Sequence, residues 1–501
     1  MKHKNTIVLW SIFLLVLVMR LFIAFQTSEV TYDGYFALRN VENIKSTGLP
    51  LFQDDLSYSG RNNVFSPLFY YVLALFSFFV PEMFVLKVLP NFFAASTVFV
   101  VFLFAKRLSK SNTASLIAAG SSGVIPVFFS ETINNVSIYS LVIPLFFLSL
   151  YFFLETVTDS RNLWKLIVCL VVLSLTHAAS LILLFALLVY VLLINIQSFK
   201  KSIKESELLL FSLFLIIWAN LTIYSRAIRM HGSSVIYQNT PLAIILDYFK
   251  EITFVESLFW IGTVPLLFGM ITIYDSVFSS KRKSASALIA VCITFFLLLW
   301  FRLINLYVGL MFLGVSMSIL SSWAISNTLT LAKNTKFKFL NSLTQILLVL
   351  LIVFSFIPSV SYSFNEASNV PSSADLEVFK WLHLNTDENA TVLAFPEEGS
   401  ALSYFSGRRN VIEQNFLLIQ NIDTRYREVK AVYGDRFLIP ALTKLNYYSV
   451  DYILLSEFAK KNYNVSGLFY EDDNCVTKVY FLNDSFAPEV FSVNCVVALR
   501  E

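Results

Sequence analysis

The sequence predicts an α-helical polytopic membrane protein with about eleven transmembrane helices, an interfacial helix and a small C-terminal α/β domain. Three observations predict this fold class. Hydrophobic residues are 56% of the 501 residues and charged residues only 14%, which is more apolar surface than a water-soluble core can bury. Apolar runs of near-bilayer length recur as far as residue 360. After residue 373 the chain is more polar, and short strand and helix patterns alternate.

The first apolar run covers residues 7 to 25 and follows Lys2 and Lys4. It exceeds the apolar core of a typical secretory signal, and no A-x-A cleavage site follows it, so it predicts the first span. Arg20 within it is expected to extend its guanidinium group to the outer surface. The ten further predicted spans are 83–105, 113–130, 138–157, 165–176, 178–196, 208–224, 257–274, 287–301, 303–326 and 341–360.

The apolar run at 66–80 decides the predicted topology. If it crosses the membrane, the basic residues at 106–110 lie outside. If it lies at the outer interface or re-enters, every strongly basic loop lies inside, as the positive-inside rule prefers. The second option predicts a multi-pass protein of the cell (plasma) membrane with a cytoplasmic N-terminus and an extracytoplasmic C-terminus. Its inner basic loops are 2–4, 106–110, 161–165, 200–204, 281–283 and 333–338.

This topology divides the chain into three parts. They are a transmembrane domain (1–360), a linker (361–373) and an extracytoplasmic α/β domain (374–501). The outer face also receives the loops 26–82, 131–137 and 225–256 and the turns at His177 and Arg302. Because binding groups concentrate on loops that a rigid scaffold supports, we expect function on this face.

Short patterns predict the elements of the C-terminal domain. The predicted helices are 374–384, 400–405 and 423–433, and the predicted strands are 391–395, 411–412 and 450–455. Cys475 and Cys495 both lie in this domain. Outside the cell a disulfide between them would persist, and two free thiols are an equal alternative. Cys169 and Cys292 lie in apolar runs and are read as small buried hydrophobes.

The sequence shows no motif of several other functional classes. The net charge is only +3, and its basic residues are spread over short loops, so the sequence has no nucleic-acid footprint. It contains no G-x-x-x-x-G-K-[ST], no H-E-x-x-H and no C-x-x-C.

The segment after the first span carries a carboxylate at the start of a predicted helix. This segment reads TYDGYFALR at 31–39, and the helix is expected to end at TGLP, 47–50. Asp33 is either an N-terminal cap or a functional acid. Its position at the membrane surface favours function, as do Arg39 about two turns on and Asp54, Asp55 and Arg61 in the same loop.

The order and spacing of these segments resemble the GT-C superfamily of multi-spanning glycosyltransferases. Its members take a sugar from a polyprenyl-phosphate or polyprenyl-diphosphate carrier. The resemblance rests on Asp33 and Tyr35 in a D-x-Y context, the TGLP turn, and SPLFY at 66–70 where the chain enters the membrane. It implies a catalytic role for Asp33 and a site-lining role for Tyr35.

The resemblance also points to the loop SETINNVS at 130–137. It implies that Glu131 is the second acid and that Asn134 lines the site; the competing interpretation of Glu131 is a solvated loop acid. Asp33 and Glu131 would then hold a divalent cation, Mg²⁺ or Mn²⁺. Oligosaccharyltransferase catalytic subunits have two Asp where this chain has Asn134 and Asn135, and amides bind hard cations less strongly than carboxylates.

Two turns complete the resemblance. His177 is similar to the "LtH" turn of the superfamily, where a structural cap competes with a role in the site. Arg302 begins RLINLY at 302–307, which resembles a segment whose arginine binds the lipid phosphate. A guanidinium group suits that geometry, and extension of the side chain from a helix end is the competing explanation.

The C-terminal domain begins with FKWLHLNT at 379–386, ATVLA at 390–394 and YFSGRRNVI at 404–412. These segments resemble the start of the soluble domain in archaeal-type oligosaccharyltransferases and their relatives. Those subunits recognise the acceptor sequon with WWDYG, where this chain has FPEEG at 395–399. The difference argues against en bloc transfer to a sequon and for a related transferase, such as one similar to protein mannosyltransferases.

The function expected from these residues is sugar transfer from a polyprenyl-linked donor to a glycan, lipid or protein acceptor at the outer membrane surface. Asp33 would act as base or metal ligand with Glu131 assisting, and Arg302 and Arg39 would stabilise the phosphate. The partners are the donor, the acceptor and membrane lipids. A lipid or glycan transporter or flippase is the alternative, but it normally has charged groups near mid-bilayer and paired repeats. A non-catalytic scaffold is the third interpretation.

Overall fold

The computed structural model describes residues 2–199, 203–232, 241–251, 253–336, 339–463, 465–481 and 487–497. Parts of two predicted basic loops, residues 200–202 and 337–338, lie outside this set, as do residues 233–240 and 252 of the predicted outer loop.

The described chain is mainly helical. Its helices are α1 (Lys2–Ala24), α2 (Gly34–Thr47), α3 (Leu68–Ser77), α4 (Glu82–Ser109), α5 (Asn112–Ser122), α6 (Pro126–Ser130), α7 (Tyr139–Thr158), α8 (Leu163–Thr176), α9 (Ala179–Ile196), α10 (Ile203–His231), α11 (Leu242–Glu251), α12 (Phe254–Ile261), α13 (Thr263–Phe278), α14 (Lys283–Trp300), α15 (Leu306–Lys333), α16 (Phe339–Ala367), α17 (Ser373–Asn385), α18 (Gly399–Ser406), α19 (Ile422–Gly434), α20 (Leu438–Tyr447) and α21 (Glu457–Tyr463). Its strands are β1 (Gln53–Asp54), β2 (Arg61–Asn62), β3 (Thr391–Leu393), β4 (Arg409–Asn410), β5 (Tyr452–Leu455), β6 (Val476–Tyr480) and β7 (Glu489–Val493).

Two compact units divide these elements. Unit 1 comprises Met1–Ser28, Phe65–Ser225 and Ile245–Ser368, and unit 2 comprises Glu29–Val64, Arg226–Ile244 and Asn369–Glu501. The division therefore differs from the contiguous domains that the sequence suggests. Unit 2 combines the predicted C-terminal domain with pieces of two loops, all three of which were predicted to lie on the outer face. Unit 2 therefore groups segments that the predicted topology places on the same face.

Unit 1 contains the membrane-spanning helices. Eight helices of the described residues are long and apolar enough to cross a membrane, and nine if α12 and α13, which meet at 92°, form one span. The other two predicted spans are shorter helices: 113–130 is divided into α5 and α6, and 165–176 is the 14-residue α8. Each of these helices is shorter than the ~30 Å that a straight helix needs to cross the hydrocarbon core of a membrane.

The run at 66–80 forms α3, an apolar helix of only ten residues. At 1.5 Å per residue it rises roughly 15 Å, about half of the hydrocarbon thickness. It is thus too short to cross, as the interfacial or re-entrant option requires. The predicted linker begins too early, because α16 continues to Ala367.

Helix α15 lies at the centre of unit 1, where it packs against α13, α5, α14 and α4. Its residues are buried on every face for most of its length, and Phe312 stacks on Phe295 of α14 with ring centroids 4.3 Å apart. A helix that is apolar all round needs such surroundings.

Unit 2 is built on a five-stranded mixed sheet of order β4-β3-β5-β7-β6. Strand β3 pairs parallel with β4 and β5, whereas β7 pairs antiparallel with β5 and β6. Helices α17 to α21 surround it, and a disulfide joins Cys475 to Cys495 beside the β6–β7 pair. The short hairpin β1–β2 also belongs to this unit, because the Tyr58 side chain is part of its hydrophobic core.

Candidate functional site

Asp33 occupies the position before the first residue of α2 in unit 2. The helix begins at Gly34 and ends at Thr47, and Gly48 closes it with a φ of 80°, a conformation that suits glycine. The Asp33 side chain makes no capping hydrogen bond to α2. It is partly exposed between buried neighbours. Asp33 therefore lies where a cap would lie without performing that role.

Two buried tyrosines fix the start of α2. The Tyr32 hydroxyl donates to Asp375 Oδ2 at 3.0 Å, and Asp375 Oδ1 accepts the backbone N–H of Glu457 at 2.8 Å. The Tyr35 hydroxyl donates to Glu29 Oε2 at 2.7 Å. Burial raises the pKa of Asp375 and of Tyr32. Asp33 thus lies between two anchored side chains.

Tyr35 was predicted to line the site, and its ring is completely buried within unit 2. The ring lies 5.0 Å from Phe405 and 5.4 Å from Tyr404, both on α18. These contacts attach α2 to the C-terminal segment of unit 2. Tyr35 therefore fixes the backbone beside Asp33 and acts as a positioning residue for it.

Arg39, a predicted phosphate ligand, is buried in an ionic cluster of unit 2. Its Nη2 atom lies 2.6 Å from Asp54 Oδ1, and its Nη1 atom lies 3.8 Å from Glu413 Oε2. Asp54 Oδ1 also accepts the backbone N–H groups of Leu56 and Ser57. The guanidinium group of Arg39 is therefore engaged in holding the β1–β2 hairpin, which favours a structural role.

The hairpin and the C-terminal segment share buried polar contacts. The backbone N–H of Tyr58 donates to Asn410 Oδ1 at 2.9 Å, and its hydroxyl donates to the carbonyl oxygen of Glu413 at 2.6 Å. Asn410 in turn donates to the Gly399 carbonyl oxygen at 3.0 Å. These contacts tie the hairpin to the C-terminal segment within unit 2.

Glu131 lies in unit 1, directly after α6, and is partly exposed. The loop around it is held from α1 and α4. Arg20 Nε donates to Asn91 Oδ1 at 2.9 Å, and Arg20 Nη2 donates to Thr132 Oγ1 at 2.5 Å. Asn91 Nδ2 donates to the carbonyl oxygen of Ile133 at 2.6 Å. Arg20 and Asn91 thus fix the backbone on which Glu131 is carried.

The prediction that Arg20 extends to the membrane surface is wrong. Arg20 is 1% exposed, and its guanidinium carbon lies 4.8 Å from the centroid of the Phe129 ring. Neutral acceptors and an aromatic face compensate for its charge. A buried arginine in an apolar helix is the sequence signal for such a positioning residue.

Asn134 belongs to the same loop and is also buried. Its Nδ2 atom donates to Thr27 Oγ1 and to the carbonyl oxygen of Ala367, each at 3.2 Å. These contacts join the loop to the residues after α1 and to the end of α16. Within unit 1 they give Asn134 a defined role in holding the loop.

His177 lies at the break between α8 and α9 in unit 1. Its Nδ1 atom accepts the backbone N–H of Ala179 at 3.0 Å, and its ring lies 5.1 Å from Tyr139. The first bond satisfies one of the free N–H groups at the start of α9. The contacts match those of a structural cap.

Arg302 joins α14 to α15 in unit 1 and has a φ of 54°. Its side chain is exposed, with the guanidinium carbon 5.5 Å from the Phe249 ring centroid. Among the described residues no carboxylate oxygen lies within 4.0 Å of it. Its charge is therefore available to an anion, unlike that of Arg39.

The FPEEG segment of unit 2 follows strand β3 and leads into α18. Glu398 is completely buried. Burial raises its pKa well above the usual value, and the charge of Asp375 raises it further. A Cβ atom at Gly399 would lie 2.2 Å from the Ile412 carbonyl oxygen, so glycine is required there. The segment that replaces WWDYG is thus a buried turn.

The described residues contain no group of three or more His, Cys, Asp or Glu side chains that could hold a metal ion. The two predicted ligands, Asp33 and Glu131, belong to different units. The divalent-cation site therefore stays a prediction, and no step of the proposed mechanism passes through a metal.

No family model and no curated protein matches this sequence. The fold, however, is similar to that of several solved membrane-protein structures. The oligosaccharyltransferase of Archaeoglobus fulgidus in its apo form superposes with a TM-score of 0.69 at 13% identity, over 92% of this chain and 71% of that one. The predicted resemblance is confirmed for the fold.

Two further structures have the same fold. ArnT from Cupriavidus metallidurans superposes with a TM-score of 0.58 at 10% identity, over 96% of this chain and 97% of that one. Mycobacterial arabinofuranosyltransferase AftD gives 0.53 at 12% identity, over 96% of this chain and 40% of that one. The archaeal enzyme has been solved with an inhibitory peptide and dolichol-phosphate, and ArnT with undecaprenyl phosphate. This chain is accordingly a multi-pass membrane protein.

Proposed function

We propose that the protein is a glycosyltransferase that moves a sugar from a polyprenyl-phosphate or polyprenyl-diphosphate carrier to an acceptor at the outer membrane surface. The observation that carries this proposal is Asp33. Its carboxylate lies at the start of α2 without capping it, and the buried Tyr32 and Tyr35 hold the backbone on either side. Rigid support of one partly exposed acid is typical of a catalytic group.

The chemistry needs a base and a stabilised leaving group. In the proposed reaction Asp33 accepts the proton of the acceptor nucleophile, which forms a bond to the anomeric carbon of the sugar. The bond between that carbon and the carrier phosphate oxygen breaks, and negative charge grows on the phosphate. Arg302 would stabilise this charge, because its exposed guanidinium group has no carboxylate partner among the described residues.

Glu131 is the proposed assisting acid. Its loop is held by Arg20 and Asn91, so the carboxylate has a fixed backbone origin. We leave Arg39 out of the phosphate site, since it is paired with Asp54. The N-terminus is proposed to be cytoplasmic and the C-terminal segment extracytoplasmic, as the positive-inside rule requires.

The test is profiling of lipid-linked sugars in a deletion strain that carries plasmid copies of the gene. Without the protein, the polyprenyl-linked donor is expected to accumulate. Wild type and Asp55→Asn should remove it, since Asp55 is an exposed acid of the same loop. Asp33→Asn should reduce transfer by about 100-fold or more, the usual contribution of a positioned base.

A second measurement separates an enzyme from a transporter. The purified protein in detergent is supplied with a radiolabelled lipid-linked sugar extract and, as the source of acceptor, with membranes of the deletion strain. It should transfer the sugar to the acceptor and release the free carrier phosphate. Folding of each variant is checked by its thermal unfolding midpoint. Equal release by Asp33→Asn and wild type would exclude Asp33 as the base, and no release by wild type would contradict a transferase.

A further inference from the structure

Unit 2 contains a cavity of about 310 Å³ that the proposed transfer does not use. Three separate segments of the unit form it: the β1–β2 hairpin, the end of α10, and the loop before α19 together with its first turn. This volume is at the lower end of the range for small-molecule sites. The space therefore suits a ligand of about one sugar.

Three arginines line this cavity, one from each segment: Arg61, Arg226 and Arg425. Arg61 is buried at 8% exposure, and it donates to Asn63 and to the Asn415 carbonyl oxygen. Its position is therefore fixed by the protein. A buried guanidinium group in the lining of a cavity is costly unless anions compensate for it.

The other two guanidinium groups make weaker contacts. Arg226 Nη1 donates to Asn62 Oδ1 at 3.3 Å, and Arg425 Nη1 donates to the Val411 carbonyl oxygen at 3.3 Å. Arg425 also lies 5.3 Å from the Tyr58 ring centroid. Each side chain thus keeps N–H groups that a ligand can use.

The charges in this cavity are not balanced by the protein. Arg61 Nη2 lies 3.9 Å from Glu413 Oε1. Among the described residues, neither Arg226 nor Arg425 has a carboxylate oxygen within 4.0 Å. In the described part of the chain, Glu413 is thus the one carboxylate near these three guanidinium groups. It lies beside Arg61 and is also 3.8 Å from Arg39. The cavity has an excess of positive charge that an oxyanion would neutralise.

Part of the remaining lining is apolar, namely the Tyr58 ring, Leu418, Ile419 and Met230. Asn62 and Gln420 add polar groups to it. In a typical sugar-binding site, the C–H face of the sugar ring packs against apolar side chains. A few polar groups then fix the orientation of the sugar, as in most small-molecule sites. A hydrated inorganic ion would gain nothing from contact with these apolar side chains.

We propose that this cavity binds an acidic sugar residue of the acceptor, one that carries a phosphate or a carboxylate group. The oxyanion would lie among the three guanidinium groups, and the sugar ring would lie against Tyr58 and Ile419. The inference rests on the proposed function only where it assigns the ligand to the acceptor. Binding itself needs no transfer and is measured separately.

The test is equilibrium binding to the purified full-length protein in detergent. The probes are glucose 6-phosphate and glucuronate, with glucose, inorganic phosphate and a polyprenyl monophosphate in mixed micelles for comparison. We expect saturable binding of the two acidic sugars, weaker binding of phosphate alone, and none of glucose. Arg226→Gln and Arg425→Gln should each weaken acidic-sugar binding at least tenfold.

Arg427→Gln is the matched control, because Arg427 is an exposed residue of the same helix outside the cavity. It should bind as wild type does, and thermal unfolding should show that all variants are folded. Unchanged binding by both cavity variants would overturn the proposal, and so would binding of glucose as tight as that of the acidic sugars. Binding of polyprenyl monophosphate alone would assign the cavity to the lipid carrier and overturn the acceptor role. Loss of transfer by Asp33→Asn together with wild-type binding of the acidic sugars would support both proposals, because transfer and binding would then depend on different residues.

Discussion

The two units stabilise buried charge in different ways. In unit 1, Arg20 is bonded to the neutral side chains Asn91 and Thr132 and lies over an aromatic ring. In unit 2, Arg39 is paired with Asp54 and lies near Glu413. A membrane-spanning segment leaves little room for a second charge, since each costs free energy in hydrocarbon. The hairpin of unit 2 can hold a network of opposite charges instead.

The comparison also distinguishes arginines that hold a loop in place from an arginine that is available to bind a ligand. Arg20 fixes the loop that carries Glu131, and Arg39 fixes the β1–β2 hairpin of the unit that contains Asp33. The guanidinium group of Arg302 is exposed and has no carboxylate partner among the described residues. Burial and pairing therefore distinguish the arginines that build the site from one that is available to a ligand.

The largest expected effect comes from Arg39→Gln. Removal of one partner of a buried ion pair leaves the other charge uncompensated and costs about 3–5 kcal/mol. Hydrogen exchange should show faster opening of the hairpin at residues 53–62. Asp54→Asn in the same protein should recover part of this loss, because the amide oxygen still accepts the turn N–H groups. Reduced transfer with unchanged stability would instead support the predicted phosphate-binding role of Arg39.

Arg20→Met is expected to have a smaller effect. The variant removes the donors to Asn91 and Thr132. Thr132 Oγ1 still donates to the Phe128 carbonyl oxygen, so Asn91 Oδ1 is the group left unsatisfied, at about 1–3 kcal/mol. No charge is left unpaired, unlike in Arg39→Gln. Exchange should increase in the loop at 131–137, and transfer should fall while Asp33 is intact. Ser11→Ala, on the exposed face of α1, is the control and should leave both quantities unchanged.

The smallest effect is a change in pH dependence at Glu398. Burial and the charge of Asp375 raise the pKa of Glu398 in the folded state, so the folded protein retains a proton that the unfolded chain loses near pH 4. The stability from this proton is complete below the unfolded pKa and is lost as pH rises toward the folded pKa. Unit 2 should therefore lose stability as the pH rises above about 4.

Glu398→Gln should make the stability of unit 2 less dependent on pH. The pH-dependent part of the free energy of unfolding should fall by about 1.4 kcal/mol for each unit by which the pKa of Glu398 differs between the folded and unfolded states. Some slope should remain, because the pKa of Asp375 is raised as well. The exposed Glu388 provides the control, and Glu388→Gln should keep the wild-type slope. Thermal unfolding followed through exchange in α17 and α18 gives the measurement. An identical slope in Glu398→Gln would show that this carboxyl group is ionised in the folded protein.

Most of the helical architecture could be predicted from apolar periodicity, because each long run became a helix or a broken pair. In unit 2, the predicted segments 374–384, 400–405 and 423–433 correspond to α17, α18 and α19. Strand β4 lies at Arg409–Asn410, two residues before the predicted strand, because pairing with β3 and not side-chain propensity sets its bounds. Helices α20 and α21 and strands β6 and β7 were not predicted, since their patterns are short and partly polar.

The site could be predicted only in part. Asp33 and Glu131 are visible as acids in outer loops, but their supports are long-range contacts that no local pattern encodes. Arg20 and Thr132 are far apart in sequence, as are Tyr32 and Asp375. The three arginines of the cavity likewise come from separate segments. Convergence of distant polar groups requires the tertiary structure.

The central claim is that the loop with Asp33 and the C-terminal segment lie outside while the basic loops lie inside. Cysteine labelling with a membrane-impermeant maleimide in intact cells tests it most directly, at exposed positions Asp55→Cys, Glu388→Cys and Arg161→Cys. We predict labelling of the first two in intact cells and of Arg161→Cys only after permeabilisation. Labelling of Arg161→Cys together with Asp55→Cys in intact cells, or protection of Glu388→Cys, would contradict the account.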